Sequence, residues 1–146
     1  MPINPDAQQI AALSALAASD QDGPLVMLNL NRYRERAAYV GEPPCGSSPE
    51  VSGREAYERY GLTALKVLNR VGGTILWHTQ ATMTVIGEDS DQYDEVIAVS
   101  YPSAKAFLEL ALDPTLGEVL AHREAGLERA AIIRCDVGYL NAPAGS

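Results

Sequence analysis

Between Pro24 and Arg34 the chain reads Pro-Leu-Val-Met-Leu-Asn-Leu-Asn-Arg-Tyr-Arg, and this run most narrows the folds open to it. Val26, Leu28 and Leu30 recur at every second position, the period of a strand with one buried face. Asn29 and Asn31 alternate with them. Asparagine packs poorly on a pleat and competes for backbone hydrogen bonds. Two on one strand face predict a face turned toward something wet, polar or ligand-filled, with plain solvation as the alternative.

The rest of the chain supplies partners for this strand. Asn4-Pro5-Asp6 is a helix start, and Ile10, Leu13, Leu16 and Ala17 predict an amphipathic helix over 5–19. After the strand, Arg34 to Glu50 holds Gly41, Pro43, Pro44, Gly46 and Pro49 and reads as one long loop. Ser52 and Glu55 form a capping box ahead of a helix whose Tyr57, Tyr60, Ala64, Val67, Leu68 and Val71 share a stripe. Gly72-Gly73 ends that helix. Residues 74–86 alternate as a strand, 87–91 turn, and 94–101 form a strand antiparallel to it. Helices follow from Ser103 and from Asp113-Pro114, the second with Leu116, Val119, Leu120, Arg123 and Leu127 on one stripe, and a last strand covers 130–136. The order is a helix, then β-α-β-β-α-β: an α+β, ferredoxin-like fold with a four-stranded antiparallel sheet.

One sheet face lies under the helices and the other needs a cover. Alternation assigns Met27, Asn29, Asn31, Leu76, His78, Gln80, Val96, Ala98, Ser100, Ile132 and Arg134 to the second face. Apolar walls with a few polar groups suit a ligand cavity. The net charge of -8 argues against nucleic acid and anionic membrane as partners, both of which need a basic patch. No apolar run is long enough to span a bilayer. Cys45 and Cys135 show no metal-ligand spacing. With no secretory signal evident, a reducing, cytoplasmic location is expected.

The segments GPLVMLNLNRYRERAAY (23–39), SGREAYERY (52–60), VGGTILW (71–77), QYDEVIAVSYPSAKAFLEL (92–110) and HREAGLERA (122–130) resemble a bacterial family known as a domain of unknown function, in the dimeric α/β-barrel superfamily. The resemblance runs over about 23–137, giving a barrel domain there, an N-terminal extension over 1–22 and a tail over 138–146. It implies a homodimer in which two sheets close face to face around a lumen. Asn29, Leu30, Arg32, Tyr57, Tyr60, Asp94, Tyr101-Pro102-Ser103 and Arg123 match typical family positions, whereas Trp77 and His78 do not. Related families include cofactor-independent monooxygenases of aromatic polyketides, lactone isomerases, haem-dependent enzymes and binding proteins, so the fold alone names no reaction.

The site expectations follow from chemistry. Asn29 would hold a carbonyl or phenolate oxygen, Arg32 or Arg134 would stabilise developing negative charge, and His78 would act as general base. Asn31, Gln80, Ser100 and Arg134 would line the ligand site. Arg123, a guanidinium on an apolar stripe, needs a partner, and Asp94 is the candidate for a structural ion pair. Tyr57 and Tyr60 are expected in the core, and His122 on an exposed helix face. No metal site and no cofactor are expected. The leading reading is a homodimer binding a small aromatic or carbonyl-bearing metabolite, with cofactor-independent oxygenation or isomerisation as its chemistry. The alternative is a non-catalytic metabolite-binding or assembly dimer.

Overall fold

In the computed structural model, which describes residues 2–137, the period-two segments meet in one antiparallel sheet; the tail expected over 138–146 lies outside those residues. The elements are α1 (Ala7–Ala17), β1 (Leu25–Tyr33), α2 (Gly53–Arg70), β2 (Thr74–Gln80), β3 (Glu95–Tyr101), α3 (Ala104–Ala111), α4 (Pro114–Gly117), α5 (Leu120–Gly126) and β4 (Leu127–Asp136). The strand order is β2-β3-β1-β4 with every neighbour antiparallel. This is the ferredoxin-like βαββαβ arrangement with an added N-terminal helix.

Local chemistry sets the element ends. Asp6 and Gln9 cap α1 reciprocally, and Ser52, Ser103 and Asp113 each accept an N-terminal amide of the helix that follows. The Asp22 carboxylate adds two bonds at α3, from the amides of Ala104 (2.7 Å) and Lys105 (3.2 Å). β2 is shorter than alternation suggests. The strand opposite begins only at Glu95, so Met83, Val85 and Ile86 have no pairing partner there and stand exposed. The single helix expected after Pro114 is two short ones, and Leu127 already belongs to β4.

The core lies between the sheet and the helices, where Leu25, Met27, Val99 and Tyr101 pack against Val67, Leu68, Ala104, Ala106 and Leu110. α1 rests on α3, adding Leu13, Leu16 and Ala17. This packing reverses the expected faces of β1. Leu25 and Met27 point toward the helices, so Asn29, Asn31 and Tyr33 continue along that inner side, while Val26, Leu28 and Leu30 lie on the open one. Cross-strand partners share a face, and Asn29 pairs with Ile97 and Ile132, Asn31 with Glu95, and His78 with Ile97. A register shift between Ile75 and Trp77 then sets the phase of β2. His78, Gln80, Ile132 and Arg134 are therefore on the helix side. Only β3 keeps its expected phase, with Val96, Ala98 and Ser100 on the open face.

Candidate functional site

Where β1 ends and β3 begins, charge collects beneath α2. Glu95, the first residue of β3, has a side chain only 10% exposed. One carboxylate oxygen, Oε1, accepts the Tyr33 hydroxyl; the other, Oε2, takes His78 Nε2 and Arg54 Nη1, the latter at 3.1 Å. Arg54 also lies over the Tyr33 ring, 4.8 Å from its centroid. Tyr33, Tyr57 and Tyr60 continue as edge-to-face pairs, with centroids 5.5 and 5.6 Å apart. Arg54 and Tyr57 are three residues apart on α2 and so share the face that looks down on Glu95.

Backbone contacts hold this end of α2 in place. Gly53 N–H donates to Arg34 O at 3.0 Å, and Arg34 N–H donates to Gly126 O at 2.8 Å. A Cβ on Gly53 would sit 2.6 Å from Gly126 O, and one on Gly126 would sit 2.4 Å from Gly53 O. The two helix ends come this close because both residues are glycine, and that approach puts Arg54 over the sheet.

Burial pushes the Glu95 carboxyl up, but the bonds from Tyr33 and His78 and the charge of Arg54 outweigh it and hold it below the usual carboxylate value. Burial, then the bond to Glu95, raises the Tyr33 phenol, and burial raises Tyr57 and moves Tyr60 to about 12. An ionised carboxylate only accepts, so the hydrogen between Glu95 and His78 belongs to Nε2. Whenever the ring is neutral, that leaves Nδ1 bare, on a side chain 49% exposed. A carboxylate fixing an imidazole in one tautomer, with the other nitrogen reachable, is an arrangement competent for proton abstraction.

Asn31 lies in the same layer, across the strands from Glu95 and only 3% exposed. Its amide nitrogen is near enough to the Tyr33 and Tyr57 hydroxyls to ease their ionisation, yet it makes no well-formed hydrogen bond. Asn29 is different. Its amide turns back onto the strands, donating to Met27 O at 3.2 Å and Ile97 O at 3.5 Å.

The other expected site residues disperse. Arg32 is on the opposite face, bound to Glu128 at 2.8 Å and to Asp89 O at 3.1 Å. There it lines a cleft of about 670 Å³ with Tyr93, Gln92 and Thr84. Ser100, on the open face, donates to Thr74 O at 3.3 Å. Gln80 ends β2 opposite Glu95 and is exposed. Arg134 is exposed on β4, and its charge reaches Asp22. Asp94 and Arg123 do not pair. Asp94 accepts the Tyr33 amide at 2.8 Å, while Arg123 binds Asn4 at 2.9 Å and Ile3 O at 2.7 Å.

Two groups escaped the sequence reading. Glu95 is in phase with the half-buried Ile97 and the buried Val99 and Tyr101, a carboxylate where an apolar residue was due, and that phase was the available signal. His122 is buried rather than exposed: Tyr39 Oη lies 2.6 Å from its Nδ1 and accepts from Arg59 at 3.1 Å. Burial, then the Arg59 charge, lowers the His122 pKa. These contacts pin the 34–50 loop to α2 and α5. On the open face, Val26, Leu28, Leu76, Trp77, Ala98 and Cys135 line an apolar pocket of about 290 Å³. Among the described residues no group of three or more His, Cys, Asp or Glu side chains could hold a metal ion. No described helix is long and apolar enough to cross a membrane.

Comparison with known proteins places this geometry in a family. No curated protein matches the chain. The crystal structure of methylated RPA0582 protein is 36% identical over 99% of this chain and 98% of that one, with a TM-score of 0.80. A second structure of RPA0582, described as a protein of unknown function from Rhodopseudomonas palustris, is 36% identical over 90% and 93% of the two chains, with a TM-score of 0.75. A dabb family protein with a ferredoxin-like fold from Mesorhizobium loti is 13% identical over 78% of this chain and 96% of that one, with a TM-score of 0.45. The model for the domain of unknown function DUF1330 matches residues 47–135, from just before α2 into β4, and the chain belongs to that family.

Proposed function

We propose that the protein is a homodimeric α/β barrel that binds a small aromatic or carbonyl-bearing molecule, and that His78, oriented by Glu95, moves a proton on it. The observation that carries the reading is the Glu95 carboxylate, nearly buried, shared by Tyr33, His78 and Arg54. The step is enolisation. The C–H bond beside a carbonyl breaks, its proton goes to His78 Nδ1, and the electron pair moves to the carbonyl oxygen. Return of the proton at another carbon completes an isomerisation, and reaction of the enolate with dioxygen would give an oxygenation. Of the residues expected at the site, His78 keeps the role of base in this reading, and Arg54, 3.1 Å from Glu95, supplies the positive charge expected from Arg32 or Arg134.

The dimer is supported by the open face, where Leu76, Trp77 and Ile133 stand about half exposed beside the half-buried Leu28 and Leu30, an apolar surface that water disfavours. The domain spans 23–137 in this reading, with 1–22 as its extension. A cytoplasmic setting is consistent with two free cysteines. A non-catalytic binding or assembly dimer has one observation in its favour: the donors on Glu95 already satisfy it without a substrate.

Deuterium uptake by 2-tetralone in heavy water, followed by NMR, separates the two. The enzymatic reading expects uptake above the buffer rate that falls about 100-fold in Glu95→Gln. Wild-type uptake no faster than buffer assigns the site to binding alone.

A further inference from the structure

We infer that residues 81–86 form an arm that each copy of this chain lays into the apolar pocket on the open face of a second copy. The inference rests on the homodimer proposed above, and it names the segment and the pocket that close it.

The arm begins where β2 loses its neighbour. Ala81 N–H still donates to Asp94 O at 2.9 Å, and beyond it no strand pairing continues. Residues 81–86 carry no charge, and Met83, Val85 and Ile86 stand 77%, 81% and 94% exposed. Thr84 ties the segment to its own turn, donating to Asp91 O at 3.2 Å, so these apolar side chains are held out into water, which is unfavourable. The pocket has the complementary fault. Val26, Leu28, Trp77, Ala98 and Cys135 line about 290 Å³ that a few aliphatic side chains would fill. An arm cannot reach the pocket of its own chain. Gln80 pairs with Glu95 at the end of β1, whereas Cys135 pairs with Val26 at its start, and β2 and β4 are opposite edges. Arm and pocket therefore lie at opposite corners of the sheet. A two-fold axis between two open faces, diagonal to the strands, carries the Gln80 corner of one copy onto the Cys135 corner of the other, as orthogonal sheet packing allows. Both arms and both pockets are then satisfied at once. Interface size asks for the same thing. A standard interface uses about 20–30 residues a side, and alternate residues of the four strands supply roughly fifteen. The arm raises the number into that range.

The test places a thiol on the arm. In a Cys45→Ser background, which leaves Cys135 as the one native thiol, Met83→Cys, Val85→Cys and Ile86→Cys are each treated with a short bis-maleimide. At least one of the three is expected to give a covalent dimer on a denaturing gel, and the band is expected to vanish when Cys135→Ser is added. Separately, Val85→Asp is expected to raise the dimer dissociation constant about tenfold or more in sedimentation velocity, because its carboxylate would have to enter an apolar pocket. The single chain should still fold, since Val85 is exposed in it. A wild-type dimer in which none of the three positions links to Cys135, a band that survives Cys135→Ser, or a Val85→Asp dimer as tight as wild type would overturn the arm and leave the open-face dimer standing. A wild type that sediments as a monomer at every concentration would instead overturn the dimer, and the arm with it.

Discussion

The two faces of the sheet carry opposite chemistry, and each is the reverse of what a lone soluble domain would favour. The face under the helices begins as ordinary core at Leu25 and Met27, then turns polar through Asn31, Tyr33 and Glu95. The open face stays apolar from Val26 to Leu30 and gathers Leu76, Trp77 and Ile133. Burying a charge network costs desolvation, and replacing it with packed hydrophobes is often neutral or stabilising. Leaving apolar surface in water is also unfavourable. In the proposed reading, function and association therefore occupy different faces: proton chemistry beneath α2, a second copy against the open side.

The sharpest way to break that division is to put a charge on the open side. Leu28→Lys should weaken the dimer at least tenfold in sedimentation velocity, since a lysine buried at an interface without a partner costs several kcal/mol. The folded monomer should survive, because Leu28 lies across the sheet from the helix core. If Leu28→Lys sediments like wild type, the open face is not the interface.

A smaller effect should come from pH, and it should trace to the helix side. The folded-state pKa of His122 is depressed below its ordinary 6.5. The unfolded chain therefore binds more protons below that value, and stability is full above pH 6.5 and lost as pH falls through the lower folded pKa. Glu95 is depressed below 4.5, so its contribution is lost in a second window beneath that value. Melting curves should show the first decline in wild type and lack it in His122→Gln. A decline between the two values that persists in His122→Gln would contradict the assignment.

The fold was legible because its signals were redundant. Caps at Ser52, Ser103 and Asp113 punctuated the helices, and Gly72-Gly73 separated α2 from β2. The faces were harder to read. The first half of β1 is apolar on both sides, so alternation could not say whether Met27 or Leu28 met the helices. In β3 the larger Ile97, Val99 and Tyr101 oppose Val96, Ala98 and Ser100, and that asymmetry gave the phase correctly. In β2 a register shift after Ile75 moved His78 and Gln80 to the inner side, and no residue type announces such a shift. The Asp94–Arg123 pairing failed for a related reason. Arg123 finds a backbone carbonyl at Ile3, a partner with no side-chain signature, 120 residues away. Asn31 and His78 were singled out as functional, but Glu95, which organises both the charge and the geometry, became visible only once its phase with Ile97 was read together with Arg54.

Whether Glu95 fixes His78 as an acid–base group is read most directly by 15N NMR of the His78 ring in mildly alkaline buffer. Hydrogen on Nε2 and a bare Nδ1 are expected in wild type. In Glu95→Gln, whose amide can donate where the carboxylate only accepted, a shift toward the opposite tautomer is expected. A wild-type ring protonated on Nδ1, or a ring that Glu95→Gln leaves unchanged, would contradict this role for Glu95.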